Sequence, residues 1–203
     1  TATKLSYSSV ALPSLEVASR HCAPRARSSG RWRVRESERL NAMNTNLRVL
    51  LIASGGGHWT QLLRLRPAWE GCDVAFATTH AGYRQDVIRS DDMDPPRFYV
   101  IPAAHMRHKL RLARQLLAVM RLMVWERPSA VVTTGASAGY FALRLGRILG
   151  SRTVWVDSIA NAAELSLAGR RIGPYADLWL TQWPELAGEP GTNDRPAFRG
   201  AVV

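Results

Sequence analysis

Cysteine is almost absent from this chain of 203 residues: Cys22 and Cys72 are the whole supply, and they stand far apart. They offer neither a disulfide framework nor a Cys/His metal-ligand spacing, so a reducing compartment and no bound metal are expected. Long apolar runs are missing too. A membrane-crossing helix needs roughly 20 consecutive apolar residues, and no such run is found. The opening residues lack the continuous apolar core of a secretory signal. Lysine is nearly missing: Lys4 and Lys109 stand alone among 27 basic residues, so the net charge of +11 is carried by arginine. Residues 1–42 hold eight Lys/Arg and three Glu, a net of +5. Much of the charge that would suit nucleic acid therefore lies outside the patterned part of the chain. A basic nucleic-acid-binding module is the weakest functional reading, and no nucleic-acid partner is expected.

Those first 42 residues are rich in serine and scattered arginine, with little periodicity. Such composition predicts disorder. Met43, followed at once by Asn44-Thr45-Asn46-Leu47 and an apolar run, reads as the native start. Residues 1–42 then form an upstream extension, and residues 43–203 a single domain large enough for a real core.

From Leu47 the pattern alternates. Strand-like runs fall at 47–53, 73–78, 97–101, 130–134, 153–157 and 177–181. Helix-like segments fall between them, at 59–69, 82–89, 106–126, 138–149 and 161–170. The strands are apolar without period-two alternation, as strands buried on both faces are. The expected fold is α/β, a doubly wound parallel sheet. In such sheets ligands bind at the carboxyl ends of the strands, where the strand order reverses.

The motifs cluster at those ends. Ser54-Gly55-Gly56-Gly57-His58 joins the first strand to the first helix. Glycines let backbone N–H groups approach a phosphate, and the helix start adds a favourable dipole. The dinucleotide pattern Gly-x-Gly-x-x-Gly is not met, and Asp73 opens the second strand instead of closing it. No Gly-Lys-Ser/Thr follows, so a P-loop is excluded as well. A tight strand-to-helix turn remains the plain alternative. A freestanding nucleotide-binding Rossmann enzyme stays open, disfavoured by those missing residues. A second small-residue turn, Thr134-Gly135-Ala136-Ser137, faces the same crevice or merely allows close packing. A third, Asp157-Ser158-Ile159-Ala160-Asn161, could meet a sugar or cap a helix. Segment 106–126 interleaves Arg107, Lys109, Arg111, Arg114 and Arg121 with leucines, methionines and Trp125. It has more apolar surface than one buried stripe needs, and its cations suit anionic lipid head groups. A solvated basic face on a core helix is the alternative. Gln182-Trp183-Pro184-Glu185-Leu186 gives an aromatic–polar cluster suited to a protein interface or to the core.

In this order the segments over 46–186 resemble the oligosaccharide biosynthesis subunit of the asparagine-linked glycosylation pathway. They resemble more closely its bacterial relatives, the PssD/CpsF-type proteins of capsule and exopolysaccharide synthesis. The resemblance implies the N-terminal half of a GT-B glycosyltransferase, with MurG-type transferases as the single-chain analogue. It implies an accessory subunit that takes a polyprenyl-pyrophosphate-linked sugar at the membrane and recruits a donor-binding catalytic partner. The UDP-sugar would sit on that partner, leaving no cofactor on this chain. The acceptor pyrophosphate would lie at Ser54, Gly55, Gly56, Gly57, His58, Thr134, Gly135 and Ser137. Gln182, Trp183 and Glu185 would approach the partner. His58 and then Asp157 are the candidate catalytic bases. Arg107, Lys109, Arg111, Arg114 and Trp125 would contact the membrane, because the N-terminal membrane helix of eukaryotic members has no counterpart. The place implied is the cytoplasmic face of the inner membrane, held peripherally.

Overall fold

A computed structural model describes residues 47–88, 95–104, 108–189 and 194–202. The extension 1–42, Met43, Arg89, Met106 and Arg107 fall outside them. Among the described residues seven strands form one parallel sheet: β1 Arg48–Ile52, β2 Asp73–Thr78, β3 Arg97–Val100, β4 Ala130–Thr133, β5 Arg152–Val156, β6 Leu178–Thr181 and β7 Ala197–Phe198. Their spatial order is β3-β2-β1-β4-β5-β6-β7. The chain winds outward from β1 to β3, returns through a long helix to β4, and winds outward the other way. The reversal therefore lies between β1 and β4, as the sequence pattern predicts for a doubly wound sheet. Register places Leu50 beside both Ala75 and Val131, so β1 is an interior strand paired on both edges.

Among the described residues there are five α-helices: α1 Gly57–Arg64, α2 Arg84–Val87, α3 Lys109–Glu126, α4 Ala136–Ile148 and α5 Leu167–Ile172. Trp59, Leu62 and Val87 from α1 and α2 bury one face of the sheet against Val49, Leu51, Phe76 and Val132. Val119, Leu122 and Met123 from α3, with Ala138, Ala142 and Leu143 from α4, bury the other against Leu50, Ile52, Val131 and Trp155. Burial on both faces explains strands that are apolar throughout.

Two helix boundaries differ most from the sequence pattern, and one strand is additional. The helix expected over 59–69 stops at Arg64 and tightens into a 3-10 turn, Arg66–Trp69, because Pro67 has no N–H to continue the ladder. The helix expected over 161–170 begins only at Leu167. The Asp157 carboxylate takes the Asn161 amide and the Ser166 N–H, which holds the intervening chain in an open loop, and Ser166 then caps the late helix. β7 is too short to leave a pattern in the sequence.

Candidate functional site at the switch point

The glycine turn leaves β1 at its carboxyl end, beside the end of β4. Gly56 caps α1 with φ +76°, a left-handed conformation that glycine takes without strain. Two of the turn's N–H groups are held by the protein itself: Gly55 donates to Thr79 Oγ1 at 3.1 Å and Gly56 to Tyr83 Oη at 3.0 Å. The Tyr83 ring stacks on Trp59, with centroids 5.4 Å apart. The anion-binding potential of the turn thus shifts forward to Gly57 and His58, the first residues of α1, whose N–H groups have no acceptor within the helix.

His58 reaches across the switch point to the second turn. Its Nδ1 lies 2.8 Å from the Thr134 carbonyl, and the Thr134 hydroxyl donates back to the His58 carbonyl at 2.6 Å. A carbonyl only accepts, so Nδ1 carries the proton and the neutral ring keeps its lone pair on Nε2. Gly135, at φ +132°, passes so close that a Cβ there would lie 2.7 Å from the His58 ring. Ala136, the next residue, is held at φ +65°, a strained conformation for a residue with a Cβ. The second turn is therefore shaped around the imidazole.

Other expected site residues are engaged inside the protein. The Thr134 hydroxyl is used as above. The Ser137 hydroxyl donates to Gln115 Oε1 of α3 at 2.6 Å, tying α4 to α3. Ser54 is half-buried and its hydroxyl makes only a long contact with the Gly55 carbonyl, at 3.5 Å. Asp157 is buried, and its two oxygens accept from Ser158 N, Asn161 Nδ2 and Ser166 N. It organises the loop after β5. Gln182, expected at a partner interface, points inward: it is 3 % exposed and donates to the Asp157 carbonyl and to Gln61 Oε1. Trp183 is half-buried with its indole N–H on the Ile159 carbonyl, and Glu185 is exposed. Those two residues, not Gln182, remain on the surface there.

Thr79, Tyr83 and Gln61 are site residues that the sequence does not announce. Thr78-Thr79 closes β2 at the switch point, the single hint available. The sequence does contain one Asp-x-Asp, Asp92-Met93-Asp94, which lies outside the described residues. Among the described residues no His, Cys, Asp and Glu side chains group as a metal site.

α3 carries two apolar faces. Val119, Leu122 and Met123 are buried, while Leu110, Leu117, Met120, Val124 and Trp125 are exposed on the outer side. Trp125 is 79 % exposed and Leu110 84 %. Lys109, Arg111, Arg114, Arg121 and Arg127, all exposed, accompany them. An open groove of about 610 Å³ between Met120, Arg121, Val124, Trp125 and Arg127 lies at the end of α3 away from the glycine turns. No described helix is long and apolar enough to cross a membrane.

No protein-family model matches the chain. It is similar to the UDP-N-acetylglucosamine transferase subunit ALG14 of Eremothecium gossypii, 27 % identical over 165 residues that make up 68 % of this chain and 74 % of that one. The ALG14 of Yarrowia lipolytica is 22 % identical over 170 residues, 71 % of this chain and 77 % of its own. Among solved structures, MurG of Acinetobacter baumannii superposes with a TM-score of 0.56 at 16 % identity over 76 % of this chain. That match spans 45 % of the MurG chain, so this protein shares the α/β fold of about half of MurG.

Proposed function

We propose that this chain is the acceptor-side accessory subunit of a two-component UDP-sugar glycosyltransferase. Its acceptor is a polyprenyl-pyrophosphate-linked sugar, in lipid-linked oligosaccharide, exopolysaccharide or capsule synthesis. The observation that carries the reading is the His58–Thr134 clasp over the two glycine turns. It presents free N–H groups and an imidazole Nε2 at the switch point of one domain that corresponds to half a transferase. The similarity to subunits named UDP-N-acetylglucosamine transferase supports it.

In this reading the Gly57 and His58 N–H groups hold the acceptor's pyrophosphate. A partner subunit supplies the UDP-sugar. The acceptor hydroxyl attacks the anomeric carbon, the bond from that carbon to the diphosphate breaks, and UDP leaves with the electron pair. The hydroxyl proton passes to His58 Nε2, the ring nitrogen that the Nδ1–Thr134 contact leaves to act as base. Asp157, with both oxygens accepting backbone or amide N–H groups, shapes the site without taking that proton. Trp183 and Glu185 belong to the rim that meets the partner. The outer face of α3 lies on the membrane, its leucines and Trp125 among the acyl chains and its cations at anionic head groups. In this reading the protein works at the cytoplasmic face of the inner membrane, attached peripherally and recruiting its partner there.

The test is transfer from radiolabelled UDP-sugars to lipid extract, with this chain and its co-purifying partner together and each alone. Transfer is expected only from the pair, and His58→Gln in the pair should lower kcat about a hundredfold, the scale of a lost general base. Transfer by the single chain would overturn the division of labour.

A further inference from the structure

Gln61 and Gln182 are two buried amide side chains that the chemistry above leaves unused. Gln61 stands on α1, one turn beyond His58, and is 6 % exposed. Its Nε2 donates to Ser158 Oγ at 3.4 Å, and its Oε1 accepts from Ile159 N at 3.4 Å and from Gln182 Nε2 at 3.2 Å. Gln182, just past β6, donates also to the Asp157 carbonyl at 2.9 Å and accepts from Val202 N at 2.9 Å. Trp183, the next residue and part of the exposed rim, donates to the Ile159 carbonyl at 2.8 Å. One amide pair therefore joins α1, the loop after β5, the end of β6 and the C-terminal segment.

Apolar packing of Trp59 and Leu62 is non-directional and lets a short helix slide or rotate. The Trp59 indole N–H, on Asp86 Oδ2 at 3.0 Å, ties the helix to α2, and two further directed contacts tie it to the sheet's carboxyl-end loops. His58 fixes the start of α1 to the β4 turn, and Gln61 fixes it one turn later to the β5 and β6 loops. A buried amide has a strong preference for this one arrangement, because any slip leaves donors and acceptors unpaired. We infer that Gln61 and Gln182 are positioning residues: they hold the N-terminal turn of α1, with its free N–H groups and His58, in fixed register with the rim carrying Trp183. The inference deepens the proposed function and rests on it for the meaning of that register. A misplacement of about 1 Å at a reacting group costs on the order of a hundredfold in rate, so such a clamp matters to a site shared by two subunits.

The test uses the full chain, with amide exchange as one readout and titration with inorganic pyrophosphate as the other. In Gln61→Met, amides of the first turn of α1 should exchange at least tenfold faster than in the unaltered chain, with those of β1 and β4 unchanged. Pyrophosphate affinity should fall about fivefold or more. Gln61→Glu keeps an acceptor for Ile159 N and the Gln182 amide, and the Ser158 hydroxyl can turn to donate to it. It should recover much of the protection. Gln182→Met should reproduce the Gln61→Met effect, and the double variant should add little to either. Unchanged exchange in the first turn overturns the inference. So does loosening of the whole sheet by equal factors, which would mean a merely structural role. If the unaltered chain gives no response to pyrophosphate at Gly57 and His58, the proposed function fails, while the exchange arm still decides the clamp.

Discussion

The two ends of the sheet are held by different chemistry. At the amino ends of the strands the contacts are ionic. Arg48 and Arg97 meet Asp73 at 3.6 and 2.8 Å, Arg97 also meets the buried Glu126 at 3.1 Å, and the Tyr99 hydroxyl donates to Glu126. Arg152 and Arg147 meet Asp177 before β6. At the carboxyl ends the contacts are mostly neutral: Thr79, Thr134, Ser137, Ser158, Gln61 and Gln182, with Asp157 as the acidic member of the network. Each end also holds one non-glycine residue at positive φ, Ala136 at the carboxyl end and Arg127 at the amino end. Ion pairs between partly exposed groups tolerate small shifts because Coulomb attraction falls slowly with distance, whereas neutral hydrogen bonds are lost within a few tenths of an ångström. The amino end fastens the fold, and the carboxyl end fixes atoms in place.

The largest expected effect falls on the acidic member of the neutral end. Asp157→Ala takes the acceptor from three N–H donors around a buried carboxylate, each costing roughly 1–3 kcal/mol. A loss of about 3 kcal/mol would lower Tm by about 6–12 °C in a chain of this size. A variant that unfolds at the normal temperature yet transfers no sugar would instead give Asp157 a direct part in the chemistry.

A smaller effect is expected at the ionic end. Glu126→Gln keeps an oxygen for Tyr99 while Arg97 retains Asp73, so about 1–2 kcal/mol should be lost in urea unfolding. Transfer per folded molecule should be unchanged in the assembled enzyme. A fall in that specific rate would break the separation between the two ends.

The smallest effect is a pH dependence. Burial raises the Asp177 pKa, but hydrogen bonds from Thr153 N and Oγ1 and the charges of Arg152 and Arg147 outweigh it, and the carboxyl sits below its ordinary range. A carboxyl with a depressed folded pKa stabilises the fold above the unfolded value, about 3.9, and loses that contribution as pH falls through the folded one. Tm should therefore drop below about pH 4, and Asp177→Asn should flatten that drop. Parallel Tm curves for the two proteins would remove Asp177 from the acid response.

The fold was legible because its signals are local. Runs such as Val49–Ile52 and Ala130–Val132 are apolar on both faces wherever they occur, and a strand buried on both faces is what such runs become. The two glycine turns were legible for the same reason. What was hidden depended on partners distant in sequence. Nothing near Gln182 says that its amide meets Gln61, 121 residues away, and so a side chain that looks like an interface residue is a core one. Nothing near Tyr83 says that its hydroxyl accepts from Gly56, 27 residues earlier. The 161–170 segment has helical composition, yet Asp157 captures Ser166 N and Asn161 and delays the helix.

Local sequence pattern is enough to specify a parallel α/β sheet and a glycine turn ending in His58 at the carboxyl end of its first strand. Periodicity and turn chemistry are properties of neighbouring residues, so they survive without a third dimension. Only the tertiary structure decided how that turn is used. It brought Thr134 to His58, which puts the ring's proton on Nδ1 and leaves Nε2 open, and it brought Thr79 and Tyr83 to the first two glycine N–H groups. It also turned Gln61 and Gln182 inward as a pair. Hydrogen bonds between buried groups form only when the sheet has set its register, and that register is a property of the whole chain.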